Sequence, residues 1–353
     1  MSGFQRLKVD GFRRLCGVDC ELRPLTVMIG ANGSGKTSVL EVMSLLAASA
    51  EGRLRDKLSE LGGIAAVVTL GRTELSLQVS AGPPDAQFVY SLSIGASGIG
   101  YDIKDHLLAG ETLYSPTVKN TSETALSQAP LLSPQAMEFR QRLASSVYYH
   151  TLDVGPRSPV RLPQPMRPAK LPGRNGEDLV TCLFEMREAD PDRFETVEDS
   201  LKAAFPSFDR LTFPPVAAGT LAMIWRDRDF PPGFYSHQLS EGALRFLWLA
   251  TLLQSAGLPE VTLLDEPEVS LHPQLLSLLA DLLREASQRS QIIVATHSDR
   301  LVRFLNPAEV LVVDLTGESL ATLTWADSLD LDKWLDEYTL DQVWAMGRLG
   351  GRP

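Results

Sequence analysis

Residues 25–37 read LTVMIGANGSGKT: an apolar run from Leu25 to Ile29 stops at a cluster of glycines, and a helical stretch, Thr37 to Ala50, follows at once. This junction restricts the fold more than any other feature of the chain. A short apolar run bounded in this way reads as a strand buried in a sheet, and a helix entered directly from its end packs back over that sheet, the opening of an α/β layer. The loop, Gly30 to Thr37, fits the phosphate-binding pattern G-x-x-x-x-G-K-[ST]. Gly30, Gly33 and Gly35 allow backbone N–H groups to turn inward around phosphate oxygens, and the helix behind them aims its positive end at the same place. Lys36 then reaches the β/γ-phosphates and the Thr37 hydroxyl takes Mg²⁺; Asn32, Ser34 and Ser38 complete the candidate nucleotide-contacting set.

Three later segments carry residue types that such a loop needs. VTLLDEPE, 261–268, is an apolar strand ending in two carboxylates and stopped by Pro267. Carboxylates at the carboxyl end of a parallel strand stand where α/β sheets bind ligands, so Asp265 is suited to the Mg²⁺ shell and Glu266 to orienting and deprotonating a water. The plain alternative is a solvated acidic turn. QLSEGALRF, 238–246, places Ser240 as the N-cap of an apolar helix, with Gly242 permitting close backbone approach, a combination that suits an anion but also an ordinary capped helix. QIIVATHSDR, 291–300, sets His297 just beyond another apolar strand, where an imidazole can read a γ-phosphate or serve as a structural residue, and Ser298 can cap the next helix.

Around these motifs the chain reads as strands at 4–10 and 18–30, then alternating apolar and polar residues over 64–104, the pattern of an antiparallel meander with one face in water. A helix near 134–145, a strand at 147–152 and a Pro-rich loop follow, then helical periodicity over 176–204 and a strand at 220–226. Helix 241–255, strand 261–264, helix 273–288, strand 291–295 and helix 299–305 then alternate, which implies a parallel sheet flanked by helices. The expected fold is α/β of the P-loop type: a mixed or parallel sheet, an antiparallel β-rich flank, and a helical lid or arm insertion. The expected organisation is an N-terminal lobe at 1–104, the insertion at 105–235, and a C-terminal lobe at 236–353.

Composition narrows the partners. Thirty-three Lys and Arg against 44 Asp and Glu give a net charge of −11, which excludes a uniformly basic nucleic-acid coat and leaves only local polyanion contacts. The one sizeable basic cluster is the Pro-rich stretch 157–174, with Arg157, Arg161, Arg167, Lys170 and Arg174. It is either a phosphate-contacting loop or a solvated one, and no aromatic residue interleaves to stack on bases. Three cysteines, Cys16, Cys20 and Cys182, make no disulfide framework, and no metal-ligand spacing surrounds them. No signal-peptide core and no run of about 18 apolar residues is present, so the expected compartment is the cytoplasm and no membrane is implied.

Taken in order, GANGSGKT, LSEG, an apolar strand ending in DEPE, and THS resemble ATP-binding-cassette ATPases. LKVDGFRRL, NGEDLVTCLFEM, LSEGALRFLWLATLL, LLDEPEVSLHP, VATHSDRLV and the closing WLDEYTLDQVWAMGRLGGRP resemble the soluble RecF/SMC-like branch, and within it the predicted AAA-type ATPases related to overcoming-lysogenisation-defect proteins. The resemblance implies ATP and Mg²⁺ as cofactors, and an ATP-dependent head-to-tail homodimer in which Ser240 and Gly242 of one subunit complete the site built on Lys36 of the other. It implies roles for Phe12 and Arg13 near the base or phosphates, and for His297 as the γ-phosphate switch. The signature reads LSEGA rather than LSGGQ, the Q-loop glutamine is either Gln141 or Gln164, and about 200 residues separate Lys36 from Ser240. The implied function is an ATPase switch acting on a nucleic acid or an effector such as a separately encoded nuclease, in repair or anti-phage defence. The alternative is an ATPase subunit powering a membrane transporter. A fused nuclease is disfavoured by the roughly 55 residues after His297, which carry no acidic metal cluster.

Overall fold

A computed structural model describes residues 3–82, 87–97, 100–109, 111–114, 123–127, 134–217, 219–317 and 319–350. In chain order its elements are β1 (Phe4–Asp10), β2 (Val18–Glu21), β3 (Leu25–Ile29), α1 (Lys36–Glu51), α2 (Leu54–Glu60), α3 (Ile64–Val67), β4 (Glu74–Ala81), β5 (Phe88–Ser97), β6 (Gly100–Ala109), β7 (Glu111–Tyr114), α4 (Pro134–Ala144) and β8 (Ser146–Tyr149). Then come β9 (Gln164–Pro165), α5 (Leu179–Ala189), α6 (Pro191–Ala204), β10 (Phe208–Thr212), β11 (Pro215–Ala217), β12 (Thr220–Leu221), β13 (Ile224–Asp227), β14 (Phe234–Tyr235) and α7 (Glu241–Gln254). The last stretch holds β15 (Val261–Asp265), α8 (Leu276–Ser287), β16 (Gln291–Ala295), α9 (Asp299–Val302), β17 (Val310–Leu315), β18 (Ala321–Trp325), α10 (Asp332–Leu335) and α11 (Leu340–Ala345).

Contacts group these elements into two interleaved units. The first is Met1–Tyr148 with Pro259–Asp265 and Arg289–Pro353, and the second is Tyr149–Leu258 with Glu266–Gln288. The consecutive segments 1–104, 105–235 and 236–353 cut across both, because strands distant in sequence pair in one sheet.

Two six-stranded sheets build the first unit. The mixed one has the order β18-β17-β3-β16-β15-β8, with β17, β3, β16 and β15 parallel and β18 antiparallel to β17. Every residue of β3 and β16 is buried, as befits central parallel strands, and register aligns Met28 with Ala295 and Ala295 with Asp265. The carboxyl ends of β3, β16 and β15 therefore lie side by side, at the edge where α/β sheets take ligands.

The second sheet, β2-β1-β4-β5-β6-β7, is antiparallel, and Leu75, Leu77, Val79, Tyr90, Leu92, Ile94, Ile103 and Leu107 fill its buried face. Helix α1 is apolar nearly all round, and Val39, Leu40, Val42, Met43, Leu45 and Leu46 join one core cluster with Leu77 and Leu92 of this sheet and Leu263 and Ile293 of the mixed one. The expected meander is present, but it begins at Glu74 and runs on through β7; Ile64–Val67 is instead a helical turn entered from Gly63.

Several expected single elements are pairs. The strand 18–30 is β2 and β3, in different sheets, broken at Pro24, which has no N–H for a ladder; Arg23 N donates to Thr26 Oγ1 across the break. In the second unit the helical run 176–204 is α5 and α6, parted at Asp190–Pro191, where Asp190 caps α6. The strand 220–226 is β12 and β13, in two small sheets, β11-β12-β9 and β10-β13-β14. Within the same unit α7 packs against α6 and α8, and Trp248 Nε1 donates to Gly173 O at 2.9 Å.

Candidate functional site

The glycines of 30–37 occupy backbone space that side chains would spoil. Gly30 has φ 147°, and a Cβ there would come within 2.1 Å of Val313 O; Gly35, with φ 117°, leads directly into α1. Lys36 is 3% exposed, and its Nζ donates to Gly30 O (2.6 Å) and Ala31 O (3.0 Å) and lies 3.4 Å from His297 Nδ1. The structure thus brings His297, from the end of β16, onto the lysine of the loop after β3. Together with Arg13, Arg14, Gly33, Gly35, Thr37 and Ser38 these two residues line a cavity of about 280 Å³, a size that suits a phosphate tail better than a whole nucleotide. The Ser34 hydroxyl is buried in the loop with no hydrogen-bond partner, and it does not line the cavity. Asn32 is exposed on the loop and is not among the lining residues.

The two arginines entering from the loop after β1 differ from expectation in one respect. Phe12 is fully buried in the core cluster and does not line the cavity; its neighbour Arg14, missed in the sequence, does. Arg13 adopts φ 48°, with its N–H bonded to Val67 O (2.7 Å) and its guanidinium 2.5 Å from Glu41 on α1. Burial raises the pKa of Glu41 and the Arg13 charge opposes that shift.

Asp265 ends β15. The Tyr148 hydroxyl, from β8, donates to Asp265 Oδ2 at 2.7 Å, and burial together with the Asp265 charge pushes that phenol far above its ordinary pKa, so it stays a proton donor. Tyr148 is the second residue that sequence reasoning missed: VYYHTL marks a strand but not which strand it adjoins. The oxygen donors of Thr37 and Asp265 suit Mg²⁺, which binds through one or two protein oxygens and completes its shell with water and substrate phosphates. Among the described residues no group of three or more His, Cys, Asp or Glu forms a cation cage, so this small donor set is the one to weigh.

The remaining candidates, Gln141 apart, belong to the second unit. Glu266 follows Asp265 in the chain with φ 49°, a left-handed conformation that is strained for a glutamate. Ser240 caps α7, its Oγ accepting from Ala243 N at 3.2 Å. Gly242 has a packing reason as well: a Cβ there would lie 2.8 Å from Ser270 O. Gln164 is not available as a nucleotide-sensing glutamine, because its amide donates to Gly176 O (2.6 Å) and Pro159 O and accepts from Val180 N. Gln141 sits exposed on α4.

In the stretch 157–174 two of the five cations are engaged within the protein, while Arg157, Lys170 and Arg174 are exposed. Arg161 donates to Val154 O (2.6 Å), Leu239 O (2.9 Å) and His237 O (3.1 Å), and Arg167 pairs with Asp178. The carbonyls of His237 and Leu239 are distant in sequence from Arg161, which a linear reading of the charges does not show. All three cysteines are free thiols, and burial pushes Cys20 and Cys182 up to about 12. No helix among the described residues is long and apolar enough to cross a membrane.

A family model described as "AAA domain, putative AbiEii toxin, Type IV TA system" matches residues 25–303. No curated protein matches the chain in sequence. Among solved structures, an Smc head bound to the C-winged helix domain of ScpA superposes with a TM-score of 0.60 at 17% identity, covering 91% of this chain and 97% of the other. A Pyrococcus furiosus Smc head with an extended coiled coil, bound to the C-terminal domain of ScpA, gives 0.59 at 12% identity over 95% and 98%. The Thermotoga maritima SMC head gives 0.52 at 12% over 91% and 98%. These identities speak to fold, and the fold is that of the SMC head. The family match, which runs from the strand before the glycine loop to beyond His297, carries the conclusion that the chain belongs to this AAA-domain family and is a P-loop ATPase with the fold of an SMC head.

Proposed function

We propose that the protein is a Mg²⁺-dependent ATPase whose nucleotide state switches a head-to-tail homodimer on and off. The observation that carries this reading is the cavity in which the buried Lys36, Thr37, Arg13, Arg14 and His297 converge. Lys36 and the loop N–H groups hold the phosphate tail, and Thr37 and Asp265 hold the metal. Bound there, Mg²⁺ supplies charge that neutralises the phosphate oxygens. Glu266 takes a proton from water as the water oxygen bonds to the γ-phosphorus and the β–γ bridging P–O bond breaks, leaving ADP and phosphate. His297 reads the γ-phosphate. Ser240 caps α7 at a helix start that favours an anion, which in the dimer is the γ-phosphate on the partner, so hydrolysis removes the bond between subunits. The switch acts on an effector protein or a nucleic acid, and of the two settings defence is nearer the toxin system in the family description than repair is.

The test uses purified full chain with ATP and Mg²⁺. Lys36→Ala abolishes nucleotide binding, since a charge-assisted phosphate contact is lost, while Glu266→Gln keeps binding and stops turnover. In analytical ultracentrifugation Glu266→Gln with ATP traps a dimer, ADP does not, and adding Ser240→Arg prevents it. A monomer under all these conditions would remove the dimer switch; wild-type turnover in Glu266→Gln would remove Glu266 from the chemistry.

A further inference from the structure

We propose that Tyr148 is a positioning residue for the metal-holding carboxylate: its hydroxyl, donated from β8 to the end of β15, fixes the orientation in which Asp265 faces the cation. The inference rests on the Mg²⁺-dependent reading above and deepens it. Tyr148 is 5% exposed, and its ring is part of the core cluster with residues of both sheets, so the hydroxyl is held by packing. It reaches Asp265 Oδ2 at 2.7 Å. The terminal torsion of an aspartate is soft, so without a fixed donor the carboxylate samples a range of orientations about its Cβ–Cγ bond. Mg²⁺ tolerates little of that freedom, because it demands near-ideal octahedral geometry. The phenol on Oδ2 thus fixes the plane of the carboxylate, and with it the direction from which the group meets the metal or a water in its shell. Hydrogen-bonded partners of this kind change metal affinity by about 10–100-fold when removed.

Tyr148→Phe keeps the ring and deletes the hydroxyl. The experiment measures Mn²⁺ binding by electron paramagnetic resonance on the full chain with a non-hydrolysable ATP analogue, and analogue affinity separately in EDTA. The expected result is a Mn²⁺ half-saturation raised about tenfold, with analogue affinity in EDTA within about twofold of the parent's. In an Asp265→Asn background, Tyr148→Phe adds no further loss of Mn²⁺ affinity, because the hydroxyl acts only through that carboxylate. Unchanged Mn²⁺ binding in Tyr148→Phe overturns the inference, and so does an equal loss of analogue affinity in EDTA, which would mark a merely structural role. A parent chain that holds no Mn²⁺ with the analogue would overturn the Mg²⁺-dependent reading itself.

Discussion

Arg161 lies in the most basic stretch of the sequence, yet its guanidinium is spent inside the protein, and Arg161→Ala separates those two facts. The side chain makes three good hydrogen bonds to carbonyls, of Val154, His237 and Leu239, and Leu239 immediately precedes Ser240. Hydrogen bonds from a charged donor contribute about 1.5–3 kcal/mol each, and discounting for the partial exposure of this site leaves about 3 kcal/mol for the set. For domains of comparable size each kcal/mol moves Tm by about 2–4 °C, so the variant melts about 6–12 °C lower in a thermal scan of the full chain. Arg161→Lys keeps the charge but loses the planar fork, and falls between the two. Because the carbonyls it holds lead into the cap of α7, the variant also loses the ATP-trapped dimer while retaining nucleotide binding through Lys36. A melting temperature within about 1 °C of the parent's would refute this reasoning and return the stretch to a solvated or phosphate-contacting role. DNA binding whose salt slope flattened in that same variant would identify the phosphate role directly.

Two other outcomes follow from local chemistry. Glu266→Gly relieves the left-handed backbone at φ 49° and stabilises the chain by about 1 kcal/mol in urea titration, after the entropy cost of glycine, while ATP turnover is lost; a destabilised variant would mean the strain is absent. Cys20 and Cys182 are held protonated by burial, from an ordinary value of 9.0 up to about 12, so the folded state keeps protons that the unfolded state loses. Stability from these thiols is therefore complete below pH 9 and falls by about 1.4 kcal/mol per pH unit per thiol between pH 9 and 12, a slope that Cys182→Ala should reduce by that amount.

The glycine loop, the strand ending in Asp265 and the capped helix at Ser240 were legible because each is local: a few adjacent residues contain the whole signal. What the sequence did not yield was adjacency. Tyr148 and Asp265 meet because β8 lies beside β15, and Arg161 meets Leu239 O because separated stretches of the second unit fold together; neither pairing leaves a trace in spacing. A motif names positions and not directions, and at this turn the Phe12 ring goes into the core while Arg14 lines the cavity. Strand β17 is a short continuous apolar run, VLVVDL, which periodicity alone cannot tell from a buried helix turn, and β18 is only five residues long. The breaks at Pro24 and Pro191 were readable in principle, as proline removes a backbone donor wherever it stands.

The position of β3 in the mixed sheet has a consequence for biosynthesis. Its two neighbours are β16 and β17, which are made more than 250 residues later than β3 itself, so the strand that carries the glycine loop leaves the ribosome with neither edge covered. During translation the antiparallel sheet can form early, from β1, β2 and β4 to β7, and α1 can rest against it. The phosphate cradle waits for Val310–Leu315 to emerge. Nascent or truncated chains ending before that strand cannot grip nucleotide, and ATP binding becomes a report that synthesis has passed it.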